Sequence, residues 1–86
     1  MTNSEQLWLV EREYTDKGVE NLVYATEDGT QYFRKQLSQQ LLARTEVTAG
    51  RTVETAKLAE THEDDRERFA SEATRMAEKH DPDDAV

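Results

Sequence analysis

The chain has no cysteine, so it has no disulfide, no thiolate metal site and no thiol nucleophile. Its serines stand only at 4, 38 and 71, and its two histidines, His62 and His80, fall in one polar segment. No nucleophile, base and orienting group are therefore placed to meet, and catalysis is not expected. Three glycines, placed at turns and a strand edge, offer no phosphate cradle, and no cofactor-binding pattern is present. No apolar run nears the ~18–20 residues that span a bilayer, and Met1 is followed by polar residues without a signal-type core. The expectation is a soluble, cytoplasmic, non-enzymatic protein without a membrane partner or a small-molecule substrate.

Lysine is also scarce: four, against seven arginines and 19 acidic residues, for a net charge of −8. Residues 1–45 carry five basic and seven acidic groups (−2), and residues 46–86 carry six and twelve (−6). Such a field opposes nucleic-acid phosphates and anionic membranes. With 86 residues there is room for one small core, and association is a natural source of extra burial.

The apolar residues cluster early. Gln6–Tyr14 begins apolar on both faces (Leu7, Trp8, Leu9, Val10) and then alternates, which predicts a first strand. Strict alternation places Trp8, Val10, Arg12 and Tyr14 on one face and Leu7, Leu9, Glu11 and Glu13 on the other. Gly18 marks a turn, and Asn21–Thr26 reads as the second strand. Asp28-Gly29 then signals a hairpin into a third strand from about Thr30 to Leu37. Two registers fit. A two-residue loop sets Tyr24 opposite Phe33 and Ala25 opposite Tyr32, whereas a three-residue loop sets Tyr24 opposite Tyr32.

Residues 38–45 fit a short helix opened by Ser38, with Leu37, Leu41 and Leu42 as its stripe. Alternation over Val47–Val53 predicts a fourth strand at an edge, weakened by Gly50. Residues 54–60 fit a short helix or an irregular connection. Thr61-His62-Glu63-Asp64 opens a helix carrying Phe69, Ala70, Ala73, Met76, Ala77 and His80 at helical spacing. Asp81 before Pro82 ends that helix. The sequence thus predicts one α+β domain over 1–80: a three- to four-stranded antiparallel β-meander with a C-terminal helix packed on it. Residues 81–86 are expected to form a frayed, disordered acidic tail.

Three candidate sites follow. A metal cluster at His62, Glu63, Asp64 and Asp65 fails on spacing. His80 lies eighteen residues on, roughly 27 Å along a helix, and acids in a first helical turn have the simpler role of complementing the dipole. No metal site is therefore assigned. Tyr32-Phe33-Arg34-Lys35 has the residue types that stack bases and hold a phosphate backbone, and with Arg12 and Tyr24 it could form an aromatic and basic face. The simpler reading gives Phe33 and Leu37 to the core and ties Arg34 and Lys35 to strand glutamates. The third candidate is a partner-binding surface around Trp8, Val10, Arg12, Tyr24, Tyr32 and Arg34, because one narrow-striped helix cannot cover a whole sheet. That surface would serve a protein partner or a homodimer; the competing reading folds residues 38–60 back over it.

The stretch Trp8–Lys35 and the tail Met76-Ala77-Glu78-Lys79-His80-Asp81-Pro82-Asp83-Asp84 resemble a group of short acidic proteins of halophilic archaea. That group has no known activity, so the resemblance implies a high-salt cell and neither a mechanism nor site residues. The expected function is a small interaction protein acting through its sheet face or edge, with a nucleic-acid-associated regulator as the alternative.

Overall fold

The computed structural model describes residues 3–42 and 44–86. Met1 and Thr2 of the polar start, Ala43 of the expected short helix, and the Leu42 side chain of its stripe lie outside the described residues. The strands are β1 (Ser4–Tyr14), β2 (Val19–Ala25), β3 (Gln31–Ser38), β4 (Gly50–Glu54) and β5 (Ala59–Glu60); the helices are α1 (Gln39–Leu42) and α2 (Glu63–Lys79). The expected α+β class holds, with one strand more than predicted. All pairings are antiparallel, in the order β4-β1-β2-β3-β5. β1, β2 and β3 form a meander; β4 then crosses to the far side of β1, and β5 is a two-residue strand added to β3.

The register of β2 and β3 is that of the shorter loop: Tyr24 faces Phe33 and Ala25 faces Tyr32. The Gly29 N–H bonds back to the Thr26 carbonyl at 2.9 Å, and Gly29 supplies the positive φ of 75°. The Asp28 carboxylate braces the loop. Its Oδ1 accepts from Thr26 Oγ1 (2.6 Å), Thr30 N (3.0 Å) and Thr30 Oγ1 (2.8 Å).

β1 does not alternate as expected. A bulge between Leu9 and Glu11 inserts Val10 as an extra residue, and such an insertion flips the faces beyond it. Leu7, Leu9 and Arg12 therefore share one face, while Trp8, Val10 and Glu11 lie on the other. This explains how a strand can be apolar on both sides at its start and still pair cleanly to Tyr14.

α2 covers the Trp8 face. His62 caps it, its Nδ1 accepting from the Asp64 N–H at 3.2 Å, and Glu63, Asp64 and Asp65 occupy its first turn. Phe69 packs with Val23, Ala25 and Tyr32, and Ala73 packs with Trp8 and Ala49. The opposite face carries the main core of Leu7, Leu9, Leu22, Tyr24, Leu37, Val47 and Val53. Val47 and Leu58, from the connections on either side of β4, close this face. Residues 38–60 thus do fold back, chiefly over the Leu7 face, and with α2 and Ala49 over Trp8 no bare apolar sheet face remains there among the described residues.

The sheet is curled toward the Leu7 face. β4 and β5 are its outermost strands, yet only residues 55–58 join them, with 55–57 in a 3-10 turn. Flat strands would stand ~19 Å apart, beyond what a link containing a helical turn can span. The same curl brings the Arg51 guanidinium of β4 to 5.6 Å from the Phe33 ring of β3.

The tail departs from expectation. Residues 81–86 do not fray but run beside residues 47–50: the Gly50, Ala49 and Val86 N–H groups bond Pro82, Asp84 and Val47 carbonyls at 3.0, 2.8 and 2.9 Å. Pro82 fits because its missing N–H is not asked for; only its carbonyl is used.

Candidate partner-binding edge

The six residues singled out from sequence do not form one surface. Trp8 is 8% exposed and Tyr24 only 2%; both are core. The Tyr24 phenol donates to the Thr48 carbonyl at 3.4 Å. Burial raises its pKa, and Arg51 and then Arg12 oppose that rise. Val10 is half-buried against α2. Arg12 lies on the other face and is bonded to Glu20. Tyr32 meets Phe69 edge-on at 6.3 Å between ring centres. Of the six, Arg34 is exposed without an ion pair among the described residues. The imagined aromatic and basic face is split, with Tyr32 and Arg34 on the helix side and Tyr24 and Arg12 on the reverse.

The simple assignment of Arg34 and Lys35 to strand glutamates also fails. Glu20 takes Arg12, and Glu11 takes Arg68 at 3.0 Å, with Asp65 also on Arg68 at 3.2 Å. Arg34 and Lys35 join no ion pair among the described residues. Lys35 is half-buried, and its pKa is lowered, first by that burial and then by the charge of Arg51.

What sequence reasoning missed is where the sheet ends. The Thr26 N–H bonds the Gln31 carbonyl, and the Thr61 N–H bonds the Thr30 carbonyl, which fixes which backbone groups point each way. Gln31, Phe33, Lys35 and Leu37 direct their backbone groups to β2; Tyr32, Arg34, Gln36 and Ser38 direct theirs outward. Outer pairing stops at Tyr32, opposite Ala59. Arg34, Gln36 and Ser38 are exposed and, among the described residues, have no strand beside them. No sequence signal marks this, because it depends on β5 being only two residues long.

Beside this edge, between β3 and the start of α2, lies a cleft of about 280 Å³ lined by Tyr32, Arg34, Thr61, His62 and Arg68 among others. Thr61 is 2% exposed and its Oγ1 has no hydrogen-bond partner among the described residues. Among the described residues no three His, Asp or Glu side chains converge as metal ligands would, and no helix is long and apolar enough to cross a membrane.

The chain belongs to DUF7967, a family of unknown function whose model matches residues 1–86. No curated protein and no solved structure matches it.

Proposed function

We propose that this DUF7967 protein is a non-enzymatic interaction module that takes up an extended segment of a protein partner as an added strand on β3. The observation that carries this reading is the outer edge at Arg34 and Gln36, which has no strand beside it among the described residues, since open backbone donors and acceptors are a template for strand addition. The two apolar faces are both covered, which leaves strand edges for association, and of these the β3 edge carries the unpaired cations Arg34 and Lys35 among the described residues. The setting proposed for it is the cytoplasm of a salt-loving archaeon, where acidity keeps the surface hydrated and screening lets charged partners approach.

A photo-cross-linking residue placed at Gln36 and, as a control, at Glu67 on the exposed side of α2 tests this in the native cell. The expected result is a discrete adduct from position 36 and none from position 67. Equal labelling at both, or none at 36, overturns the reading.

A further inference from the structure

We infer that the segment received on β3 is acidic, with two adjacent carboxylates that sit opposite Arg34 and Lys35; this rests on the edge reading above. Residues directly opposite one another in a sheet share a face, and successive residues alternate faces. A carboxylate opposite Arg34 therefore enters the helix side, at the cleft where Arg34, Tyr32 and the partnerless Thr61 hydroxyl meet. The next residue of the incoming strand falls opposite Lys35, on the face where Arg51 lies over Phe33.

Charge makes the case for this occupant. The chain holds 19 acidic residues against 11 basic ones, so a surface cation has carboxylates to choose from. Arg12, Arg66, Arg68 and Arg75 all find them. Among the described residues Lys17, Arg44, Lys57 and Lys79 join no ion pair either; what sets the unpaired Arg34, Lys35 and Arg51 apart is that they gather at the stretch of sheet whose backbone is also unpaired. Lys35 and Arg51 are close enough to repel, which an incoming anion would relieve.

A second copy of the chain fits less well. Symmetric pairing of two β3 edges must set outward residues against outward residues. A two-fold axis at Arg34 or at Lys35 places like charges opposite each other. An axis at Gln36 sets Arg34 against Ser38 and Lys35 against Leu37, which leaves both cations without a counter-ion.

The test uses capped hexapeptides Val-Thr-Glu-Glu-Val-Thr, Val-Thr-Gln-Gln-Val-Thr and Val-Thr-Lys-Lys-Val-Thr, titrated into the full chain while backbone amide shifts are followed. The Glu-Glu peptide is expected to bind, to move the Arg34, Gln36 and Ser38 amides, and to outbind the Gln-Gln peptide several-fold. Arg34→Gln and Lys35→Gln are each expected to weaken it about two- to five-fold, the range of a cross-strand charge pair. Arg34→Glu is expected to abolish it. Equal binding of the Glu-Glu and Gln-Gln peptides at the edge overturns the acidic preference and leaves the edge reading intact. No binding of the Glu-Glu peptide, or binding elsewhere, overturns the inference, and the cross-link at Gln36 then judges the edge by itself. A dimer in sedimentation that Gln36→Pro abolishes assigns the edge to a second copy and also overturns it.

Discussion

Gly29 packs directly on the backbone of α2, where a Cβ would contact Arg66 O and come within 2.7 Å of Ala70 N. The hairpin tip and the helix therefore fit together only through the missing side chain. Gly29→Ala adds this overlap to the cost of a positive φ and should lose ~3 kcal/mol or more in urea unfolding. Gly18 is the internal control. Its φ is 76°, but its nearest neighbours stand at 3.5 and 4.0 Å, so Gly18→Ala should cost only the backbone share, ~1–2 kcal/mol.

Asp28 provides a pH signature. Its pKa is lowered by bonds from the Thr26 side chain first, then from the Thr30 backbone and side chain. A carboxylate held below its unfolded value of 3.8 stabilises the fold above that pH and loses the contribution as pH falls through the folded value. Thermal melts of Asp28→Asn should accordingly lie below the parent at pH 7 and converge with it in acid, below about pH 4. A constant gap across that range would contradict the assignment.

Lys35 should behave in the opposite sense. A lysine whose pKa is lowered on folding opposes folding while charged, and the opposition fades only as pH climbs toward 10.5. Lys35→Gln should melt at or above the parent at pH 7 while binding the acidic peptide less well. Such an exchange of stability for binding marks a residue kept for a partner. A variant that is both less stable and unimpaired in binding would show that Lys35 serves the fold.

Much of the architecture was legible because its signals are local. Asp28-Gly29 announced the hairpin, and the Phe69-Ala73-Met76-Ala77 stripe announced the buried side of α2. Val10 kept its predicted place beside Trp8, but Arg12 and Tyr14 were assigned to the wrong face, because one inserted residue looks, in sequence, like uninterrupted alternation. Pro82 and the acids around it read as a frayed end because nothing local shows that residues 47–50 need partners for their outward groups. Arg34 and Lys35 were assigned to glutamates that the distant arginines Arg68 and Arg12 reach instead. The candidate edge was the least legible part, since its exposure is set by where β5 stops.

The proposed high-salt setting makes its own prediction. Twelve of the 19 acidic residues fall in residues 46–86, and several crowd the first turn of α2 and the docked tail. Lowering ionic strength lengthens the reach of their mutual repulsion. Melting temperature should fall as potassium chloride is reduced from molar to tens of millimolar. A flat salt profile would remove the proposal.

The central claim is that the outer backbone of β3 is the functional surface, and paired proline substitutions test it most directly. The Gln36 N–H points away from the sheet, so Gln36→Pro removes a donor that the fold does not use, whereas the Lys35 N–H belongs to the ladder with Leu22. The account predicts that Gln36→Pro folds with parent-like circular dichroism yet loses the acidic peptide, and that Lys35→Pro unfolds. A folded Gln36→Pro protein that keeps its full binding would contradict it.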